Sequence, residues 1–176
     1  MTKQALLVID VQRGLFEPAP HEGYAVMERI NSLAERARAA GVPVVYVQHE
    51  TRAGALAHGT DGWRLAHGLQ PRDGDHFVRK TTPDSFLRTD LQDKLTSWGT
   101  EQVVICGYAS EFCVDTTTRR AAALGYPVVL VADAHTTHDK PHMSAAQIRA
   151  HHNATLPDIG SFGVKIEALP AAEVVF

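Results

Sequence analysis

The chain has 176 residues, 44% of them hydrophobic and 21% charged, with a formal net charge of −3. That is enough for a single domain, 1–176, with a full apolar core, and the composition is that of an ordinary soluble globular protein. A mildly acidic chain without a long basic run excludes a phosphate-backbone binder, and two cysteines cannot build a disulfide framework.

Ala5–Ile9 is a short unbroken apolar run that stops at Asp10. Tyr24–Ala40 puts Val26, Ile30, Leu33, Ala34 and Ala37 near helical spacing, and Gly41 ends it. Val42–Val47 is a second apolar run, closed by Gln48. Residues 50–75 are glycine-rich with little periodicity, and hold Trp63 and Leu65. A loop of that length in a compact domain is usually functional or mobile, and this one reads as a lid or subunit-contact segment beside a pocket. Phe77–Val78 is a weak strand ending near Lys80, and Thr89–Trp98 is a helix with Leu91, Leu95 and Trp98 on one face. Val103–Cys106 is a strand ending at Gly107, and Ser110–Leu124 a helix stopped by Gly125 and Pro127. Val128–Ala132 is a strand ending at Asp133, Met143–Leu156 a helix halted by Pro157, and Val164–Ile166 a last short strand.

Short, unalternating, β-branched runs are the habit of strands buried on both faces. Their alternation with helices predicts an α/β domain, a central and mostly parallel sheet of about six strands with helices on both sides. Right-handed crossovers bring the strand C-termini to one edge, where ligands bind in open α/β sheets. Met1–Gln4 lacks the parts of a signal peptide, and no apolar stretch is long enough to span a bilayer. A cytoplasmic protein with reduced cysteines and neither a nucleic-acid nor a membrane partner is expected.

Asp10 closes the first strand, Lys80 follows the weak third one, and Cys113 follows the fourth. In a parallel sheet all three lie at one edge. Cys113 falls in the first turn of a predicted helix, where backbone N–H groups and the helix dipole favour a thiolate. An acid, a cation and a thiol make a workable nucleophilic set. Each also has a plainer reading: a strand-closing carboxylate as a turn residue, a lysine as a solvated surface charge, a free cysteine as an inert hydrophobe. Their coincidence at one edge carries the reading. Phe16, Trp63, Phe86 and Phe112 are candidate pocket walls, with Tyr108 beside them, or alternatively ordinary packing. His135, His138, His142, His151 and His152 lack the spacing of a helical zinc motif and read as solvated positions.

Val8-Ile9-Asp10-Val11-Gln12, then Lys80 with Ser85-Phe86, then Gly107-Tyr108-Ala109-Ser110-Glu111-Phe112-Cys113-Val114 with Thr117 resemble the isochorismatase-like cysteine hydrolases. The order and spacing hold over about Ala5 to Phe176. The resemblance implies a three-layer α/β/α fold, a catalytic triad of Asp10, Lys80 and Cys113, and a cis peptide before Ala109. It also implies an oxyanion hole made by the N–H groups of Ala109 and Cys113, and a homodimer or higher homo-oligomer. A thiol at this place favours a small amide substrate over the acid-catalysed hydrolysis of a vinyl ether. The remaining readings are that vinyl-ether hydrolysis, a silent metabolite-binding domain, and a redox sensor built on Cys113. Nicotinamidases of this family carry an Asp-x-His metal pair after the second strand, where this chain has Gln48-His49-Glu50. No metal or other cofactor is therefore expected, and Gln48 and His49 are expected to line the pocket and bond a polar group of the substrate.

Overall fold

Apolar runs with no polar face find their place in the middle of a sheet covered on both sides, and there they lie. The computed structural model describes residues 2–176. Its sheet is built from β1 (Gln4–Ile9), β2 (Val44–His49), β3 (His76–Lys80), β4 (Gln102–Tyr108), β5 (Val128–Thr136) and β6 (Ile166–Leu169). The strands run in the order β3-β2-β1-β4-β5-β6, all parallel. The order reverses between β1 and β4, so the crevice of the fold opens at the C-terminal ends of those two strands.

Among the described residues, five α-helices complete the layers: α1 (Arg13–Phe16), α2 (Gly23–Ala39), α3 (Leu91–Ser97), α4 (Asp115–Ala123) and α5 (Ala145–Thr155). Alternate strand residues divide between two cores. Leu6, Val8, Tyr46, Val104 and Val129 pack with Val26, Ile30, Leu33 and Ala37 of α2. Leu7, Ile9, Val45, Val47, Ile105 and Leu130 pack with Leu91 and Leu95 of α3 and with Ala121 and Ala122 of α4. Each fully buried Leu, Ile or Val contributes about 1.5–3 kcal/mol, so the central strands anchor the domain.

The boundaries differ from expectation where polar residues join a strand or a turn takes apolar ones. β2 starts at Val44 rather than Val42 because the Val42 N–H turns back to Ala37 O, closing α2. It runs on through Gln48 and His49, which pair with Arg79 and Lys80 of β3. β5 continues through Asp133–Thr136, three of whose four residues are polar. β6 begins at Ile166, two residues later than expected, after the left-handed turn at Gly163. The helix expected from Ser110 opens instead as a π-helical turn over Ser110–Val114, and α4 follows it. Residues 51–75 form successive turns tied to the segment after β1: Arg13 N–H donates to Arg64 O, Gly14 N–H to Gly62 O, and Ala66 N–H to Val11 O. Among the described residues no helix is long and apolar enough to cross a membrane.

Candidate active site

Two backbone features shape the sheet edge. Asp10 has φ 51, a left-handed conformation, and its N–H donates to Val47 O at 2.8 Å. Gly107 has φ 119, and a Cβ there would stand 2.1 Å from Ile9 O. β1 and β4 thus approach to a distance only glycine permits. Beside Gly107 the β4–β5 register slips: Ile105 faces Leu130, but Gly107 faces His135. The Tyr108–Ala109 peptide is cis.

β3 alternates in burial, with Phe77 and Arg79 outward and Val78 and Lys80 inward. Lys80 is 1% exposed and Asp10 is 1% exposed. The Lys80 ammonium donates to Asp10 Oδ2 at 2.7 Å, to Cys113 Sγ at 3.2 Å and to Thr82 O at 3.2 Å, and lies 3.3 Å from His49 Nδ1. An ammonium has three hydrogens, so these four acceptors compete for them. The other carboxylate oxygen, Asp10 Oδ1, is buried without a hydrogen-bond partner among the described residues. Such an orphaned acceptor beside a thiol can receive a proton.

Burial pushes the Cys113 thiol up to about 12; Asp10 acts in the same direction and Lys80 opposes both. This corrects the expectation of a thiolate held by a helix dipole. The thiol sits in a single π-helical turn, largely buried beside a carboxylate, and is protonated at neutral pH. Burial and the Lys80 charge hold the His49 imidazole below its ordinary range, so it faces the ammonium as a neutral ring. Donor atoms of Asp10, His49 and Cys113 lie within 4.8 Å of one another, a grouping that can hold a metal ion. Here the Lys80 ammonium already stands within bonding distance of all three.

Where an oxyanion hole is expected, Ala109 O accepts the N–H groups of Phe112 and Val114 and passes over that of Cys113. Neither the Ala109 nor the Cys113 N–H makes a turn or cap hydrogen bond among the described residues. A second tie joins the segment after β3 to α4: Ser85 and Thr117 hydroxyls are 2.8 Å apart, both fully buried. The residues Ser85 and Thr117, which marked the sequence pattern, thus brace the Lys80 arm against the Cys113 arm.

The remaining candidates scatter. Phe16 is buried edge-to-face against Tyr108, with ring centres 5.8 Å apart. The Tyr108 hydroxyl bonds His138 Nδ1 at 2.8 Å. Phe112 is exposed, with the Lys140 ammonium 5.5 Å from its ring centre. Phe86 is a core residue stacked on Tyr126, not a pocket wall. Gln48 and Trp63 line an open cavity of about 850 Å³ beside β3 with Phe77, Arg79 and Arg88. None of Asp10, Lys80 and Cys113 lines it, and the Gln48 amide nitrogen donates to Trp63 O at 3.0 Å. The cavity is therefore a neighbour of the Asp10–Lys80–Cys113 cluster and does not contain it. Gln12 closes the first sequence motif but was given no role there; its fully buried amide donates to His49 O and Trp63 O and accepts from His49 N–H. Sequence reasoning also took His135 for a solvated histidine, whereas the ring is fully buried.

The family model described as the isochorismatase domain matches residues 4–157. A streptothricin hydrolase of Streptomyces noursei is 43% identical over 141 residues, 78% of this chain and 51% of that protein. The chain thus spans about half the length of that relative. A secreted isochorismatase effector of Verticillium dahliae is 39% identical over 79% of this chain and 73% of its own length. Among solved structures, an isochorismatase from Pseudomonas putida KT2440 superposes with a TM-score of 0.88 at 28% identity, covering 98% of this chain and 90% of that one. An isochorismatase family protein superposes with a TM-score of 0.87 at 35% identity, over 96% of this chain and 99% of the other.

Proposed function

This chain belongs to the isochorismatase family of hydrolases, and from that premise we propose that it cleaves a C–N amide-type bond of a small molecule through a thioester on Cys113. The observation that carries the reading is the buried Lys80 ammonium, 2.7 Å from the Asp10 carboxylate and 3.2 Å from the Cys113 sulfur. It couples a proton acceptor and a nucleophile in one dry site.

The thiol is protonated at rest, so the first step is proton transfer. Asp10 takes the Sγ proton as sulfur attacks the carbonyl carbon. The tetrahedral oxyanion is met by the N–H groups of Ala109 and Cys113. Asp10 returns the proton to the leaving nitrogen, the C–N bond breaks, and the amine or ammonia departs. Asp10 then takes a proton from water, whose oxygen attacks the thioester. The C–S bond breaks, and the proton on Asp10 restores the thiol. The sum is amide plus water giving acid plus amine. Lys80 holds the Asp10 carboxylate in place through the 2.7 Å ion pair and tempers charge on the sulfur. A redox sensor needs an acidic, accessible thiol, and burial that pushes Cys113 up to about 12 argues against that use.

The test is a screen of small primary and cyclic amides, with streptothricin included because a relative bears that name, read as release of ammonia or amine. Hydrolysis that disappears in Cys113→Ala, with a thioester adduct on Cys113 trapped by mass spectrometry, is expected. Full activity of Cys113→Ala on the amide so identified would overturn the reading.

A further inference from the structure

Behind the reacting groups lies a second polar cluster that the mechanism above does not use. His135, on β5, is fully buried. Its Nδ1 is 2.7 Å from Ser110 Oγ and its Nε2 is 2.8 Å from Asn153 Oδ1. The Asn153 Nδ2 group, from α5, donates to Ala132 O at 2.9 Å, which fixes the amide with its oxygen toward the ring. An oxygen there requires a hydrogen on Nε2. Nδ1 is then the acceptor, and the Ser110 hydroxyl gives its hydrogen to it. The hydrogens run one way, from Ser110 to His135 to Asn153 to Ala132. Burial pushes His135 down to about 4, consistent with a ring that stays neutral.

Ser110 is itself fully buried and is the first residue of the π-helical turn. It directly follows Ala109 and lies three residues before Cys113. Its carbonyl accepts the Asp115 N–H, the five-residue step that makes this turn wider than an α-turn. The slipped register between β4 and β5 is what brings His135 opposite Gly107, at the root of the same turn.

We propose that Asn153, His135 and Ser110 form a positioning relay that holds the Ala109 and Cys113 N–H groups at the height an oxyanion requires. This inference rests on the oxyanion role proposed above. None of the three touches the reacting atoms. They act by fixing the start of the turn to β5 and α5, so that two N–H groups one turn apart converge on one point.

Two thiol reagents separate this role from a merely structural one. Iodoacetamide alkylates the sulfur by displacement of iodide and forms no oxyanion. p-Nitrophenyl acetate acylates it: sulfur adds to the carbonyl carbon, the oxyanion collapses, and the C–O bond breaks. The products are the S-acetyl cysteine and nitrophenolate, with the thiol proton passing to Asp10 and then solvent. In the full chain, Ser110→Ala and His135→Gln are expected to slow acylation of Cys113 about ten-fold or more, while alkylation changes by less than about two-fold. His135→Asn places an amide oxygen where Nδ1 stood, keeps the Ser110 bond and gives up the one to Asn153. It is expected to acylate within about three-fold of wild type although its melting temperature falls as far as that of His135→Gln. Equal slowing of both reagents in all variants, or acylation that follows melting temperature alone, overturns the relay. A wild type that is alkylated but never acylated at Cys113 overturns the nucleophile role, and the relay falls with it.

Discussion

Removing the charge on Asp10 isolates what that carboxylate does to the thiol. Asp10→Asn keeps the side chain's shape and takes away a negative charge within 4.8 Å of the sulfur. With an effective dielectric near 20, two unit charges at that distance interact by about 3.5 kcal/mol, or roughly 300-fold in thiolate population. The sign is set by the geometry: burial and Asp10 raise the thiol and Lys80 lowers it, so neutralising Asp10 removes one of the two raising influences and the thiol becomes more acidic. A thiolate with a lower pKa is a weaker nucleophile, which takes back roughly ten- to twenty-fold of that gain. Alkylation of Cys113 by iodoacetamide at pH 8 is therefore expected to be about twenty-fold faster in Asp10→Asn, while amide hydrolysis is lost because no group remains to take the thiol proton. Lys80→Met is expected to slow alkylation. The assay is the pH dependence of the alkylation rate, with the adduct on Cys113 located by mass spectrometry. An Asp10→Asn rate equal to or below wild type would refute the electrostatic coupling that this mechanism needs.

His135 titrates in the unfolded chain near 6.5 and in the fold near 4. Its contribution to stability is present in full above pH 6.5 and is lost as pH falls toward and through 4, by roughly 3 kcal/mol in all. Urea unfolding at pH 7 and pH 4.5 is expected to show a smaller acid loss in His135→Asn than in wild type. Equal losses would remove the neutral buried ring. Gly107→Ala puts a methyl group 2.1 Å from Ile9 O on a left-handed backbone, which is expected to cost at least about 3 kcal/mol. A thermal melt of that variant within a few degrees of wild type would contradict the close approach of β1 and β4. Cys106 is fully buried and burial holds its thiol well above the usual range, so native protein is expected to label at Cys113 alone and unfolded protein at both cysteines, read by intact mass.

The central strands were legible because burial on both faces writes a continuous apolar run into β1, β2, β4 and β5. The edge strands were not. β3 has one open side and alternates exposed Phe77 and Arg79 with buried Val78 and Lys80, so only a two-residue trace of it survives in the pattern. β6 is an edge strand of four residues, three of them half-exposed, and leaves a trace as faint. The positions of Asp10, Lys80 and Cys113 at one edge followed from topology, but their distances did not. The π-helical turn was hidden because a run of helical character does not reveal whether its first turn closes on the fourth or the fifth residue. His135 was misread for a related reason. Its partners Ser110 and Asn153 are 25 and 18 residues away in the chain, and they meet it only through the β4–β5 slip and the packing of α5.

Gln12 has a further consequence for how β1 ends. A peptide-like amide gives and takes hydrogen bonds in the same pattern as a strand residue, and this side chain stands in for backbone between β1 and β2, pairing with both the N–H and the carbonyl of His49. The main chain is thereby free to leave the sheet at Asp10 two residues early without opening a wet gap behind it. An apolar side chain of equal length at position 12 would fill the space yet leave the His49 peptide with nothing to bond, and water entering to satisfy it would arrive directly behind the carboxylate.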